Sequence, residues 1–426
     1  MNALLKPTLL LLVCLWSANA SSQSNRAASR ISANPCGAYL HIPFCRRRCF
    51  YCDFPIKVIG DRESTQRRET EAYVHLLLRE IDSAAKTAAG PRSSMEALET
   101  VYFGGGTPSL LSPEQIHTVL SRLNDAFGVG ASAEVTLEMD PGTFDQAKLE
   151  GYLRAGVNRV SMGVQSFDQK VLESCGRAHS AADVERAIAD MHAASVDNFS
   201  LDLISSLPGV TEELWRETLR KAVASGCSHV SVYDLQIEEK TAFGRWFSPG
   251  QFPLPTDGQA AAMYAAAVEE LSGIFEHYEV SNYARPGKRS RHNQHYWRCS
   301  SVWGFGLGAA SFVDNSRATR PSSLATYSDW VTAAEERGYA AAVEALPGRE
   351  RGDVLDGIML ALRTADGLDL AALHPNDAQR VLHGVQDFIG GGCPLVALSQ
   401  NGNLRLTDPH GFLLSNDVIS NVFAQF

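Results

Sequence analysis

Short β-branched runs alternate with amphipathic stretches from residue 38 to about residue 283, and this alternation constrains the fold more than any other feature. The runs predict six strands, at residues 38–42, 100–103, 134–138, 159–164, 200–204 and 229–233. The intervening stretches predict helices at residues 69–84, 112–126, 145–155, 181–194 and 211–224. Strands that alternate with helices build a parallel sheet. Six βα units are too few for a closed eight-stranded barrel, so we predict an α/β fold built on a partial (βα)6 barrel.

Polar residues occur where these predicted strands end. In parallel barrels the chemistry lies at the carboxyl ends of the strands. The features at those ends are a cysteine-rich loop after the first strand, a glycine run at residues 104–106 after the second, then Glu138, Gln165 and, within the fifth strand, Asp202. Their shared position predicts that they surround one site.

Three of the nine cysteines, Cys45, Cys49 and Cys52, form a CxxxCxxC pattern after the first predicted strand. The other six are scattered singly, which fits a disulfide framework poorly. Structural zinc needs four ligands, and no second CxxC or HxxxH follows downstream. Three thiolates on a four-iron cluster instead leave one iron open to a small molecule. The pattern resembles the radical S-adenosylmethionine superfamily, which implies a 4Fe-4S cluster here and S-adenosylmethionine as that molecule.

The other polar residues each have a functional and an ordinary interpretation. A glycine run after a strand lets the backbone approach a ligand closely, yet by itself it indicates only a turn. Glu138 and Asp202 offer acceptors to an adenosine, or they cap a helix, as we expect of Asp140. Gln165 ends an apolar strand, where an amide needs a hydrogen-bond partner. Arg177 either binds a substrate carboxylate or joins a surface salt bridge.

The motifs resemble, one by one, the family of oxygen-independent coproporphyrinogen III oxidase and its relatives. They are Tyr39 with HIPFC at residues 41–45, GGGTPS at 104–109, EMDP at 138–141, GVQSF at 163–167, Arg177, and DLISSLP at 202–208. The resemblance runs from about residue 38 to the C-terminus. It implies that S-adenosylmethionine contacts Tyr39, Gly105, Gly106, Thr107, Glu138, Gln165, Arg177 and Asp202.

Two departures favour one branch of that family. The oxidase has a fourth cysteine in its motif, at the position where this chain has Phe54. Residues 292–297, HNQHYW, match the HNxxYW motif of the heme chaperone HemW branch. This resemblance implies heme as cargo and His292 as its iron ligand. His295 is a competing ligand, and a lone histidine is more often satisfied within the structure.

The resemblance predicts a heme chaperone that carries a 4Fe-4S cluster and S-adenosylmethionine and passes heme to an acceptor protein. An electron donor is a further expected partner. The alternative is the oxidase reaction, a radical decarboxylation of coproporphyrinogen III to protoporphyrinogen IX, against which the missing fourth cysteine argues; enzyme activity therefore stays open. Radical modification of tRNA or protein is a third class, because a barrel does not specify its substrate.

The charge argues against one class of partner. The 426-residue chain has a formal net charge of −10, whereas general nucleic-acid binders are basic. The one dense basic run, three arginines at residues 46–48, lies within the cysteine loop. The sequence leaves three roles open for these arginines: they lower the pKa values of the cysteine thiols, they contact an electron donor, or they are solvated charges of the loop. We therefore expect no nucleic-acid partner.

The first 36 residues predict a presequence that is removed from the mature protein. An apolar block at residues 9–16 is followed by small residues, as in a signal peptide, and residues 21–30 carry two arginines, four serines and no acids, as in a transit segment. Such a two-part presequence favours a plastid, with the mitochondrion and secretion as alternatives. We expect no stable membrane span in the mature chain.

We divide the rest of the chain into three parts. Residues 37–285 form the partial barrel, residues 286–348 hold the HNxxYW segment and a Gly- and aromatic-rich connection, and residues 349–426 form a small C-terminal helical domain like that of the oxidase family. Near its end, apolar residues 395–398 and 404–406 flank Asn401 and Gly402, a strong hairpin signal. Helices followed by a hairpin predict a winged-helix-like shape.

Overall fold

The computed structural model describes residues 35–87, 96–390, 392–399 and 401–426. The predicted presequence, residues 1–36, lies outside the described residues except for its last two. The strands are β1 (Gly37–Ile42), β2 (Phe44–Cys45), β3 (Lys57–Val58), β4 (Leu98–Gly105), β5 (Val129–Met139), β6 (Arg159–Gln165), β7 (Phe199–Ser205), β8 (His229–Asp234), β9 (Glu276–Glu279), β10 (Asn282–Ala284), β11 (Val302–Phe305), β12 (Ala310–Val313), β13 (Ser316–Thr319), β14 (Glu350–Arg351), β15 (Val396–Leu398) and β16 (Leu404–Leu406).

Fifteen α-helices alternate with these strands or follow them along the described part of the chain. They are α1 (Glu63–Thr87), α2 (Pro113–Phe127), α3 (Gln146–Ala155), α4 (Gln169–Ser174), α5 (Ala181–Ala193), α6 (Glu212–Ala224), α7 (Ala242–Trp246), α8 (Asp257–Leu271), α9 (Arg291–Trp297), α10 (Leu324–Arg337), α11 (Tyr339–Glu344), α12 (Val354–Leu362), α13 (Pro375–Val385), α14 (His410–Leu413) and α15 (Ser415–Phe423). Each of the five predicted helices is present. At α2 the Ser112 hydroxyl accepts from the Gln115 amide at 3.2 Å and the Gln115 side chain accepts from the Ser112 amide at 2.9 Å, which is a capping box.

The six predicted strands, β1 and β4 to β8, are parallel and lie side by side in chain order. They form the centre of a sheet whose order is β14-β13-β12-β11-β1-β4-β5-β6-β7-β8-β10-β9. Within the described residues its outer strands, β14 and β9, do not pair with each other. The sheet is therefore open, as the count of six units predicts, and the α/β fold with a partial barrel is confirmed.

The segment after the barrel contributes more to the sheet than the sequence indicates. Strand β11 pairs parallel with β1, and β12, β13 and β14 continue outward as antiparallel neighbours. We predicted only a connection there, because strands of two to four residues are too short to show a period of two. The domain boundaries at residues 285 and 348 stay predictions.

Alternate residues of the central strands face two different surroundings. On β4, Val101 and Phe103 are buried among apolar side chains such as Leu77 of α1 and Leu123 of α2. The opposite face of the central strands, inside the curved sheet, is mostly polar and includes Thr100, Glu134, Thr136, Glu138, Arg159, Ser161, Ser200 and Asp202. A strand with period two thus separates the helix-packed core from a polar barrel interior.

The C-terminal part has a hydrophobic core of its own. Helices α12, α13 and α15 contribute Ile358, Val381 and Val418 to it, and the hairpin contributes Leu404 and Leu406. Strands β15 and β16 pair antiparallel around the predicted turn, where Gly402 has a φ of 83°. The helices and the hairpin are therefore confirmed.

Candidate functional site

The cysteine loop follows β1 at the carboxyl end of the barrel. Cys45 ends β2, which pairs parallel with β3, so both ends of the loop are fastened. Arg48 donates to the carbonyl oxygens of Cys52, Phe54 and Ile56, each at 3.2 Å. Arg48 therefore folds the loop from within, and its charge also acts to lower the pKa of Cys52, which is one of the three roles weighed for the loop arginines.

The three thiols of this loop are half-buried and lie among protein donors. Burial raises the pKa of Cys45 to about 12 and that of Cys52 to about 11. The Thr107 hydroxyl lies 3.5 Å from the Cys45 sulfur, and Arg177 donates to the Cys49 sulfur at 3.3 Å. Thiols that hold their protons so firmly become thiolates on binding a metal centre. No described group of three or more His, Cys, Asp or Glu side chains is arranged around a single-ion position.

Arg177 is buried beneath this loop. Its guanidinium pairs with Asp140 and donates to the Gly163 carbonyl at 2.9 Å and to the Tyr51 hydroxyl at 3.2 Å. Its side chain is only 10% exposed, so the surface salt bridge weighed for Arg177 is wrong. The structure brings Arg177 to Cys49, a predicted cluster ligand, and to a protein carboxylate.

From its sequence position we expected Asp140 to cap a helix, but the structure shows that it does not. Asp145 caps α3 instead, accepting from the Lys148 amide at 2.9 Å. Burial alone would raise the pKa of Asp140, but Arg177 and His179 beside it bring that pKa below its usual value. Sequence reasoning missed Asp140, His179 and Tyr51 as parts of the site. The strand-end rule would have indicated Asp140, which directly follows β5.

The glycine run packs against β1 and the start of the cysteine loop. Gly105 has a φ of 114°, and its amide donates to Glu138 at 2.9 Å. The Gly106 amide donates to the Ile42 carbonyl at 2.8 Å. A Cβ atom on Gly106 would lie 2.6 Å from the Phe44 carbonyl oxygen. The run therefore permits a close backbone approach that no side chain would allow.

Glu138 and Asp202 face the barrel interior and already have protein donors. The Tyr102 hydroxyl donates to Glu138 at 2.8 Å. Burial raises the pKa of Glu138 to about 7. Asp202 accepts from the hydroxyls of Ser231 at 2.7 Å and Ser161 at 2.9 Å, and burial raises its pKa as well. Neither carboxylate caps a helix.

Gln165 carries the clearest sign of an absent partner. It ends β6 with a φ of 64°, and its buried side-chain oxygen has no hydrogen-bond partner in the described part of the chain. An orphaned buried acceptor is costly unless a ligand satisfies it. Tyr39 of β1 stacks on Tyr102 of β4, with ring centroids 6.0 Å apart. The orphaned acceptor, the three thiols and the close glycine run fit a 4Fe-4S cluster with S-adenosylmethionine.

His292 lies at the other end of the barrel, beside the start of β4. It is 1% exposed, and both ring nitrogens have partners: Nδ1 is 2.8 Å from the Thr100 hydroxyl and Nε2 is 2.8 Å from the Tyr296 hydroxyl. Its ring stacks on Tyr102 with centroids 5.1 Å apart. Iron ligation by His292 would therefore require one of these hydrogen bonds to break.

We expect Gly106→Ala to lower the free energy of unfolding by about 1–3 kcal/mol, because the added Cβ meets backbone atoms that cannot move aside freely. It should also weaken S-adenosylmethionine binding to the reconstituted protein. Gly258→Ala in α8 is the matched control, because nothing lies within 4 Å of its Cβ position. Urea unfolding and titration calorimetry measure both variants. Equal stability of the two would contradict the close approach.

The contribution of Glu138 to the stability of the protein should fall as the pH rises from about 4.5 towards 7, because folding raises the pKa of Glu138 from 4.5 to about 7 and so favours its neutral form. Glu138→Gln keeps a neutral side chain at every pH. Relative to wild type, this variant should therefore gain stability with increasing pH across that window. Urea unfolding at several pH values checks this, and a parallel pH profile for both proteins would refute it.

Comparisons with known proteins agree with this geometry. Residues 39–222 match the model of the Radical SAM superfamily. The heme chaperone HemW of Synechocystis sp. is 37% identical over 407 residues, which cover 92% of this chain and 97% of that protein. The mitochondrial radical S-adenosyl methionine domain-containing protein 1 of Mus musculus is 37% identical over 273 residues, covering 64% of this chain and 59% of that protein.

One solved structure has the same fold over nearly the whole chain. It is coproporphyrinogen III oxidase (HemN) of Escherichia coli, a radical SAM enzyme, with a TM-score of 0.73 at 20% identity over 92% of this chain and 91% of the other. At that identity the likeness speaks for the fold alone. None of the helices in the described ranges has the length and apolar character needed to cross a membrane. The near-complete match in sequence, together with the fold and the cysteine loop, shows that this chain belongs to the HemW family of radical SAM proteins.

Proposed function

We propose that this protein is a heme chaperone that binds heme and passes it to an acceptor protein. The observation that carries the proposal is the match to the chaperone of Synechocystis sp. over 97% of that protein's length. The cysteine loop supports it, because the position of the oxidase's fourth cysteine is taken by Phe54, whose carbonyl oxygen accepts from Arg48.

We propose that Cys45, Cys49 and Cys52 hold the 4Fe-4S cluster. When bound, the cluster supplies an open iron that can chelate S-adenosylmethionine. Thr107 donates to the Cys45 sulfur and so favours its thiolate form, and Arg177 donates to the Cys49 sulfur. Arg48 keeps the loop folded. We expect an electron donor to approach the cluster on the side of the protein that this cysteine loop forms.

The proposed S-adenosylmethionine site comprises the eight residues named from the family resemblance. Gln165 offers an acceptor that no described residue satisfies, and Gly106 allows close backbone approach. Glu138 and Asp202 are buried and hydrogen-bonded, so they would shape the pocket and orient its donors. Arg177, which pairs with Asp140, would contact S-adenosylmethionine from its position beside Cys49.

Anaerobic heme transfer tests this function. The reconstituted protein is loaded with hemin and mixed with an apo-hemoprotein, and the spectrum of the acceptor is followed with and without S-adenosylmethionine. We expect hemin to bind and then to move to the acceptor. A second assay supplies dithionite, S-adenosylmethionine and coproporphyrinogen III. Formation of protoporphyrinogen IX together with absence of hemin binding would replace the chaperone by the oxidase.

We propose that the presequence directs the protein to an organelle, with the plastid favoured over the mitochondrion. The two-part composition of residues 1–36 supports this, and the name of the relative from Mus musculus places that relative in the mitochondrion. A fluorescent fusion of residues 1–36 tests the proposal. Fluorescence in the culture medium would contradict organelle import.

A further inference from the structure

Side chains tie together the two turns that follow strands β4 and β5. The last paired residues of these strands are Phe103 and Leu137. Beyond them, the buried Ser109 joins the turns, since its hydroxyl oxygen accepts from the Asp140 amide at 3.1 Å. Thr143 donates its hydroxyl hydrogen to the Asp140 carbonyl at 2.7 Å, so the Ser109 hydroxyl donates to the Thr143 hydroxyl, at 2.6 Å. Every hydroxyl hydrogen of this network therefore has an acceptor.

Lys148 of α3 bonds to both turns at once. Its Nζ donates to the carbonyl oxygen of Ser109 at 2.7 Å and to that of Thr143 at 3.0 Å. It also lies 5.8 Å from the centre of the Tyr152 ring, and the Tyr152 hydroxyl donates to the same Ser109 carbonyl at 2.9 Å. Lys148 forms no ion pair with a carboxylate of the described residues. Its ammonium therefore bonds to backbone carbonyls of the two turns rather than to a side-chain charge.

These two turns carry parts of the proposed S-adenosylmethionine site. The glycine run, which ends at Gly106, lies just before Ser109 in the chain. Asp140 begins the second turn and pairs with Arg177. The separation of the two turns therefore sets the separation between the glycine run and Arg177, and the proposed site uses both.

The ammonium of Lys148 is held where burial disfavours its charge. Burial lowers its pKa from 10.5 to about 8, and the Asp145 carboxylate offsets only part of this effect. Between about pH 8 and 10.5 the unfolded chain binds more protons at this group than the folded protein does. The charge therefore costs stability below about pH 8, and the cost fades as the pH rises. Groups that a fold keeps at a cost in stability are expected at functional sites.

Other titratable side chains near the network keep one charge state between pH 7 and about 9.5. Burial raises the pKa of Tyr152 well above its usual value. A hydrogen bond from Ser112 lowers the pKa of Glu114, at the start of the neighbouring helix α2. Despite burial, its ion pair keeps the pKa of Asp140 below the usual value. A change of the network within this pH range therefore reports on Lys148.

We propose that Lys148 is a positioning residue for S-adenosylmethionine: its ammonium holds the Ser109 turn against the Thr143 turn and so sets the separation between the glycine run and Arg177. This inference rests on the proposed S-adenosylmethionine site. Lys148 acts through the carbonyl oxygens that it bonds and not by contact with the cofactor. Hydrogen bonds from a charged donor are stronger than those from a neutral one, so loss of the proton loosens both turns.

Titration calorimetry of the anaerobically reconstituted protein with S-adenosylmethionine tests this role. At pH 7, Lys148→Met should weaken binding about tenfold, the scale on which supporting contacts around a site change affinity. Its iron content and its urea-unfolding midpoint should be no lower than those of wild type, because methionine fills the space of the lysine stem without burying a charge. Lys170→Met is the matched control, because Lys170 is an exposed lysine of α4, and it should bind as wild type does.

A pH series separates the charge of Lys148 from its shape. The affinity of wild type relative to Lys148→Met should fall from about tenfold at pH 7 towards equality at about pH 9.5, because Lys148 loses its proton above about pH 8. S-adenosylmethionine has an α-amino group that titrates near pH 8 as well. Its titration affects both proteins alike and cancels in the ratio.

The outcomes separate this inference from the proposed site. If wild type does not bind S-adenosylmethionine, the proposed site fails and the inference with it. If wild type binds and Lys148→Met binds equally well at pH 7, only the inference fails. The same loss in Lys148→Met at both pH values would attribute the effect to packing and overturn the role of the ammonium. Unfolding of Lys148→Met, or loss of its iron, would make Lys148 a structural residue and overturn the inference as well.

Discussion

Cys45→Ser, Cys49→Ser and Cys52→Ser should each abolish cluster assembly, so that iron falls from about four per chain to near zero after anaerobic reconstitution. In the proposed cluster each thiolate holds one iron, and no other cysteine of the CxxxCxxC pattern is left to replace it. Iron and sulfide analysis measures the loss. S-adenosylmethionine binding should be lost in parallel, because the open iron is lost with the cluster.

The matched control is Cys393→Ser. Cys393 is an exposed free cysteine outside the barrel, so its removal should leave the iron content unchanged. Wild-type iron content in any of the three loop variants would show that the corresponding cysteine is not a ligand. An equal loss in Cys393→Ser would mean that the assay reports general damage to the protein.

Arg177→Ala should lower the free energy of unfolding by about 3–5 kcal/mol, the usual cost of removing one partner of a buried ion pair. The change leaves the Asp140 carboxylate buried without its guanidinium and removes the donors to Gly163 and Tyr51. Urea unfolding of the protein without reconstituted cluster measures this effect separately from any effect on iron binding.

Arg67→Ala in α1 provides the comparison, because its side chain is 75% exposed and its pair with Glu71 spans 3.9 Å. That change should cost no more than about 1 kcal/mol. Adding Asp140→Asn to Arg177→Ala should recover part of the loss, since the unpaired charge is then removed. A loss in Arg177→Ala no larger than in Arg67→Ala would contradict the buried pair.

The periodic features of the sequence predicted the structure well. The six β-branched runs became six parallel strands in chain order, because the apolar side chains that pack each strand against the helices lie close together in sequence. The capping box at Ser112 and the hairpin at Gly402 were also predictable, since each depends on residues a few positions apart. The short strands β11 to β13 were not predictable, because their pairing partners define them.

The roles of several polar residues could not be predicted, because their hydrogen-bond and ion-pair partners are distant in sequence. Asp140 looked like a helix cap because an acid before a proline is a local signal, whereas its partner Arg177 is 37 positions away. His292 looked available for iron until the fold placed the Thr100 hydroxyl, 192 positions away, on its Nδ1. His295 on the same helix likewise has a distant partner, since its Nδ1 lies 3.1 Å from the sulfur of Cys36, at a separation of 259 residues.

The sequence by itself determined the partial barrel, the three-cysteine loop and the family, because periodicity and motif spacing are local properties of the chain. Only the tertiary structure decided which of these polar groups already have partners. Hydrogen bonds and ion pairs saturate, so a side chain such as His292 is available to a ligand only if no distant residue reaches it first.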